Sequence, residues 1–274
     1  MPTKLPQHKA RKRFGQNFLN NDFWIEKIAD AIRPLPGQDL VEIGPGQAAL
    51  TQKIIDRAGH LTCVEIDRDL ARWLRTQFPE SRMTLIEADA LTVDWRGLAG
   101  GKKLRICGNL PYNISSPLLF ALFRVADCVE DQHFMLQKEV VDRMCAAPGS
   151  KAYGRLSVML QLKYTMVKLF DVPPEAFTPA PKVMSSVVRM TPRKTIAEVD
   201  ENLLENVVAV GFSMRRKTLR NVFAKHFPDA LLTEAGIDPG LRAEAVGLEL
   251  WIRLTNLLKE KGIAVHRGDA PAED

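Results

Sequence analysis

From residue 37 to residue 191 the chain alternates short apolar runs with stretches of helical periodicity, and this alternation restricts the possible folds more than any other feature. The runs at 39–43, 60–66, 83–87, 104–108 and 133–137 lack the strict every-other-residue pattern of a strand with one wet face. Strands without that pattern are covered on both faces, as in a parallel sheet with helices above and below. Helices are predicted between them at 48–57, 68–77, 116–124 and 138–144, giving an α/β fold. Two further runs, 164–172 and 186–190, are joined by a proline-rich connection from Pro173 to Pro181, which predicts an antiparallel pair at one edge. After a linker at 193–199 only helical patterns follow, at 202–209, 216–226, 241–245 and 249–260. The expected organisation is therefore an α/β domain over 1–195, with a basic arm over 1–20, and a small all-helical domain over 196–274 ending in a polar tail.

The first strand-to-helix connection reads Val41-Glu42-Ile43-Gly44-Pro45-Gly46-Gln47-Ala48-Ala49-Leu50. Gly44, Gly46 and Ala49 have the G-x-G-x-x-G/A spacing, in which glycine allows a tight turn and close approach of a ligand to the backbone. Glu65 ends the second strand about 20 residues later, where a carboxylate can accept two ribose hydroxyls. Asp89, after the third strand, is placed to receive an adenine amino group, and the Ala90 amide can meet a ring nitrogen. Nicotinamide and flavin folds share the glycine spacing. The additional carboxylates Glu42 and Asp89 favour a cationic sulfonium nucleoside, S-adenosylmethionine, since they would repel a diphosphate.

The fourth strand runs into Asn109-Leu110-Pro111-Tyr112. The Asn109 carboxamide and the Leu110 carbonyl, held by Pro111, can accept hydrogen bonds from an exocyclic amine, while Tyr112 lies against a flat ring. Phe177, among its prolines, is a second candidate for stacking on an unstacked base. A holder of this kind suits alkylation of a nucleobase amino group.

Charge supplies the nucleic acid. The chain carries +5 overall, with Lys4, Lys9, Arg11, Lys12 and Arg13 in one acid-free block and Arg215, Arg216, Lys217, Arg220 and Lys225 in another. Such blocks bind phosphate backbones through Coulomb attraction and counterion release. Four cysteines without a Cys-x-x-Cys pair and five histidines without ligand spacing argue against a metal and against disulfides. No apolar run approaches the roughly 18–20 residues that span a bilayer, and none follows the basic N-terminus as a signal peptide would. A cytoplasmic location and no membrane partner are expected.

Taken in order, several blocks resemble the ribosomal RNA adenine N6-dimethyltransferases of the KsgA type. They are Arg11 to Leu19, Val41 to Leu50, Val64 to Asp67, Ala88 to Ala90, Gly108 to Pro117, Met135 to Val140, Phe177 to Val183 and Arg215 to Asn221. The resemblance covers nearly the whole chain. It implies a seven-stranded class I (Rossmann-like) methyltransferase domain with a helical C-terminal domain and S-adenosylmethionine as the donor; nothing in the sequence demands a metal or a dimer, and a monomer is expected. It implies dimethylation of two adjacent adenosines in the 3′-terminal hairpin of 16S rRNA in the 30S subunit, with a role in subunit biogenesis. By position it assigns Asn17, Leu19, Gly44, Glu65, Asp89 and Asn109 to the donor site. Gln16 and Asn17, directly after the basic arm, are expected to close over the donor's methionine end. Met184 departs from the family, which often has aspartate before the following serine. Rival readings are an adenine N6-methylase acting on other RNA or DNA, a non-catalytic ribosome-assembly factor, and a nicotinamide oxidoreductase, which has no use for Asn-Leu-Pro-Tyr.

Overall fold

A computed structural model describes residues 16–267. Its strands are β1 (Phe18–Leu19), β2 (Leu40–Ile43), β3 (Leu61–Glu65), β4 (Met83–Glu87), β5 (Leu104–Asn109), β6 (Val129–Gln137), β7 (Tyr164–Val172), β8 (Phe177–Thr178) and β9 (Ser185–Pro192). The helices of the first part are α1 (Asp22–Ile32), α2 (Ala49–Ala58), α3 (Arg68–Gln77), α4 (Trp95–Ala99), α5 (Ser115–Phe123), α6 (Lys138–Met144) and α7 (Arg155–Lys163). Those of the second are α8 (Glu201–Phe212), α9 (Leu219–Phe223), α10 (Ala230–Glu234) and α11 (Leu248–Glu260).

Seven strands form one sheet in the order β4-β3-β2-β5-β6-β9-β7, and β1 with β8 forms a separate two-stranded sheet. β2 through β6 pair in parallel, while β9 runs antiparallel to β6 with Phe134 opposite Val188. β7 and β9 lie side by side at the edge, where the proline-rich connection placed them. β6 begins at Val129, four residues before the predicted start at 133, because the pairing with β5 extends back to Leu104 opposite Val129.

The chain divides into two compact units, and the division differs from the expected single cut near residue 195. One unit comprises the described residues up to Val141 and Thr165–Pro192; the other comprises Asp142–Tyr164 and the described residues from Arg193 onward. The reason is α7, which packs on α8 and α11. In this second unit Gly211 of α8 faces the Trp251 ring so closely that a Cβ would lie 2.5 Å from it. The predicted helix at 216–226 shortens to α9, because residues after α8 turn through Ser213 N–H to Val210 and Lys217 N–H to Met214. The stretch at 241–245 is a 3-10 turn at Ala243–Ala245.

In the sheet unit, α1 was not foreseen, although Ile25, Ile28, Ala29 and Ile32 give it a helical apolar face. Asn21 caps it by accepting from Trp24 N–H at 3.3 Å, and Asp22 adds a negative charge at the N-terminal end. Its C-terminal end is held by Arg105 of β5. That guanidinium, 6% exposed, donates to the Ile32 carbonyl at 2.6 Å, the Arg33 carbonyl at 3.1 Å and Gln38 Oε1 at 2.6 Å. It also makes a two-pronged pair with Asp131 of β6 at 3.0 and 2.8 Å. All five guanidinium donors are therefore used, and the last carbonyls of α1 are satisfied where the helix stops.

Removing one member of such a pair strands the other charge in the interior. Asp131→Ala is expected to cost about 3–5 kcal/mol in urea unfolding. Replacing both by apolar residues, Arg105→Met with Asp131→Leu, should cost clearly less than the sum of the single changes.

Candidate active site

A cavity of about 310 Å³ opens at the C-terminal ends of the central strands. It lies where the sheet order reverses between β2 and β5, the position at which open parallel sheets bind ligands. Gln16, Asn17, Leu19, Gly44, Gly46, Glu65, Asp89, Ala90, Asn109, Leu110, Pro111 and Tyr112 all line it. The structure thus brings together in one place every predicted donor-site residue and the whole Asn-Leu-Pro-Tyr segment.

Local geometry accounts for the convergence. Gly44 donates to the Val64 carbonyl at 2.9 Å, turning the chain off β2 and over β3. Gly46 has φ of 55°, and a Cβ there would lie 3.1 Å from the Phe18 ring, so β1 rests directly on the glycine turn. Gly108 is closer still to its neighbour: a Cβ would lie 2.4 Å from the Ile43 carbonyl oxygen. Only glycine lets β5 pass the end of β2 at that separation.

The carboxylates are held in different ways. Glu65, its pKa raised chiefly by burial, accepts from the amides of Asp67 at 2.8 Å and Gly46 at 3.2 Å. Glu42 is 2% exposed and receives the Thr51 hydroxyl at 2.6 Å. Burial pushes it up to about 7, against the Thr51 hydrogen bond and with help from the Glu65 charge. Asp89 accepts from Leu91 N–H at 2.9 Å, which fixes the turn after β4. Among the described residues, no lysine, arginine or histidine lines the cavity.

On the other side, the Asn109 side-chain amide donates to the Asn17 carbonyl at 2.9 Å, leaving its carbonyl oxygen as the acceptor. Leu110 N–H reaches the Met135 carbonyl at 3.1 Å. Ser115, at the start of α5, donates to the carbonyls of Pro111 and Tyr112 at 3.0 and 3.2 Å. The Tyr112 hydroxyl meets Ser185 Oγ at 2.8 Å. Gln16 donates to Asp67 at 3.2 Å, and β1 pairs antiparallel with β8, Phe18 opposite Thr178 and Leu19 opposite Phe177.

Phe177 is the correction. It does not line the cavity; at 4% exposed it belongs to the buried apolar cluster that includes Leu19, Ile25, Ile28 and Val187. Pairing of β8 with β1 commits it there. Arg215, Arg216 and Lys217 lie exposed in the turn before α9, and Arg220 lies exposed within it. Arg215 donates to the Lys151 carbonyl at 3.0 Å, and Arg220 pairs with Asp229 at 2.9 Å. Arg11, Lys12 and Arg13 lie outside the described residues. The sequence reading passed over Phe18, Thr51, Ile66 and Ser185. Of these, Phe18 and Ile66 carried a signal as apolar neighbours of assigned site residues, and Ser185 as the serine that follows Met184.

Comparison with known proteins now fits this site. The sheet has the class I S-adenosylmethionine-dependent methyltransferase architecture. It is similar to a dimethyladenosine transferase from Plasmodium falciparum, with a TM-score of 0.77 and 24% identity, covering 90% of this chain and 99% of that one. It is also similar to the 23S rRNA methyltransferase ErmE, with a TM-score of 0.69 and 26% identity, covering 89% of this chain and all of that one. The chain belongs to the ribosomal RNA adenine dimethylase family, whose model matches residues 7–260. In sequence it is 55% identical over 260 residues to the ribosomal RNA small subunit methyltransferase A of Bordetella petrii, covering 94% of this chain and 98% of that protein.

Glu42 makes stability depend on pH. Its folded pKa of about 7 exceeds the ordinary 4.5, so across that window the folded chain keeps a proton that the unfolded chain has lost. Stability from this group is complete below about pH 4.5 and lost as pH rises through 7. Glu42→Gln should reduce that slope, leaving the part due to Glu65, and at pH 8 raise the unfolding free energy by an amount on the order of a few kcal/mol. Urea unfolding at pH 5 and pH 8 measures both; an unchanged slope would show that Glu42 is not the group responsible.

Proposed function

We propose that this chain uses S-adenosylmethionine to dimethylate N6 of two adjacent adenosines in the 3′-terminal hairpin of 16S rRNA. It acts as a cytoplasmic monomer on the small ribosomal subunit, with a part in that subunit's biogenesis. The observation that carries this reading is one cavity with Glu42, Glu65 and Asp89 on one side, no cationic lining side chain among the described residues, and Asn109-Leu110-Pro111-Tyr112 on the other. The donor set fits a cationic sulfonium nucleoside and disfavours a diphosphate, which counts against a nicotinamide enzyme. Glu65 would hold the ribose hydroxyls, Asp89 and the Ala90 amide the adenine, and Gln16, Asn17 and Leu19 the amino-acid end. When bound there, S-adenosylmethionine supplies an electrophilic methyl group on sulfur.

The remaining chemistry belongs to the chain. The N6 lone pair of adenine is delocalised into the ring, so the amine is a poor nucleophile. Asn109 Oδ1 and the Leu110 carbonyl accept its two protons and favour a pyramidal nitrogen whose lone pair faces the methyl. Both hydrogen bonds strengthen as positive charge grows on N6, which is stabilisation realised in the transition state. Tyr112 stacks on the base, and its hold is supported by base–aromatic stacking of about 1–3 kcal/mol. The proton released from methylated N6 passes to water. Alignment of the two reactants supplies much of the rest of the acceleration.

Arg216 and Lys217, which make no ion pair among the described residues, together with Arg215 and Arg220, contact rRNA phosphates. The arm residues Arg11, Lys12 and Arg13 are assigned the same role. A related specificity for large-subunit RNA is the alternative suggested by the likeness to ErmE, at 26% identity.

Mass spectrometry of rRNA after incubation with undermethylated small subunits and S-adenosylmethionine tests the proposal. Two adjacent dimethyladenosines are expected near the 3′ end of 16S rRNA; methylation confined to large-subunit RNA would select the alternative. Asn109→Ala should lower the methylation rate by roughly 10²–10³-fold with little change in donor affinity by calorimetry. Equal losses in both would give Asn109 a donor-binding role instead. Replacing Arg216 and Lys217 by Ala should reduce the salt slope of subunit binding by about one for each charge and leave donor affinity alone.

A further inference from the structure

We propose that Ser185 is a positioning residue: its hydroxyl fixes the Tyr112 ring against the base, and this hold matters most for the second methyl transfer to the same N6. The proposal rests on the reading of Tyr112 as the ring that stacks on adenine.

Ser185 is built as an anchor. It is 1% exposed, begins β9, and sits in register opposite Gln137 of β6. The residue before it is pinned as well, since the Met184 carbonyl accepts from Lys138 N–H at 2.9 Å. Tyr112, by contrast, lies on a connection between β5 and α5, half-buried at the cavity wall. Ser115 and Met135 tie down the main chain of that connection. The tie recorded for the tyrosine side chain is the 2.8 Å contact with Ser185. Burial raises the phenol pKa above its ordinary value, so the hydroxyl stays neutral and able both to donate and to accept. Without that contact the ring is free to turn about its side-chain torsions, and the face offered to the base is no longer fixed.

The second transfer makes this consequential. Unmodified adenine presents two N6 protons, one for Asn109 Oδ1 and one for the Leu110 carbonyl. Monomethyladenine presents one. The base then loses a hydrogen bond that oriented it, and a larger share of its alignment falls on the stacked ring. A loosened ring should slow the second step more than the first.

The test compares Ser185→Ala, Tyr112→Phe, their double variant and Tyr112→Ala on undermethylated small subunits. Mass spectrometry follows N6-monomethyl and N6,N6-dimethyl products, calorimetry follows donor affinity, and thermal melts follow folding. Ser185→Ala and Tyr112→Phe should each slow the second transfer by roughly three- to tenfold, the size of one lost hydrogen bond. Monomethyl product should accumulate, donor affinity should stay unchanged, and the double variant should be no slower than either single one. A wild-type product ratio in both single variants, or losses that add in the double variant, would overturn the proposal while leaving the base-stacking reading intact. Should Ser185→Ala fail to fold, Tyr112→Phe removes the same contact without touching β9 and decides the matter alone. Wild-type activity in Tyr112→Ala would instead refute the stacking reading, and the positioning role with it.

Discussion

The approach of β5 to the end of β2 at Gly108 is the constraint on which the site depends. Any side chain at Gly108 would run into the Ile43 carbonyl, 2.4 Å from the nearest possible Cβ. The next residue along each strand is then Asn109 on one side and Gly44 on the other, and a Cβ on Gly44 would lie 3.9 Å from the Asn109 carbonyl oxygen. The donor turn and the base-holding segment are thus walls of a single cavity rather than two neighbouring clefts. A donor and a base bound to these two walls would share one enclosed space, the kind of proximity from which an alkyl transfer gains. The pairing of β2 with both β3 and β5 keeps this geometry rigid.

The same region carries an electrostatic cost. Glu42 and Glu65 are both buried, and burial raises both pKa values, Glu42 to about 7. A fold without a ligand gains nothing from two desolvated carboxylates side by side. A positive charge held nearby would lower the cost of ionising them, whereas a diphosphate would raise it. β1 links this side to the other. Phe18 lies on Gly46, while the Asn17 carbonyl orients the Asn109 amide at 2.9 Å. Its partner β8 leads through the proline-rich loop to Ser185 and hence to Tyr112. Three segments distant in sequence therefore set the orientation of the two side chains nearest the proposed reaction.

Much of the sheet was legible in the sequence, and so were the glycine turn, the acidic residues and the Asn109–Tyr112 stretch of the cavity wall, because these follow from local patterns. A buried parallel strand is an apolar run, and the turn after β2 has glycine at two of its three positive-φ positions, Gly44 and Gly46, with Ala48 at the third. What escaped depended on contacts between distant segments. β1 and β8 are two residues each and exist only because they pair with one another. That pairing buries Phe177, whose proline-flanked position in the sequence suggested a ring facing the cavity. α7 joins the helical unit because of its packing on α8 and α11, a relation invisible to periodicity. Ser185 was visible only as the serine that follows Met184 in the family pattern, and nothing local links it to a tyrosine hydroxyl 2.8 Å away. The basic segment at 215–217 was legible as charge, but its last two residues were placed in the helix predicted over 216–226, since charge does not report that Thr218 caps the next helix.

On the proposed reading, the two methyl transfers place unequal demands on the same wall. Asn109 is committed through its amide to Asn17, so only Oδ1 remains to accept a proton from N6. Leu110 is buried, and its carbonyl has little access to water. A monomethylated amine leaves one of these acceptors unmatched, at a cost of about 1–3 kcal/mol for a buried polar group. Stacking of the base on an aromatic ring is worth about 1–3 kcal/mol, the same magnitude. The second step can therefore proceed in the same pocket provided the ring's contribution is delivered in full. That requirement gives physical meaning to an anchored Tyr112, because a ring that wanders loses part of the one interaction large enough to offset the missing hydrogen bond.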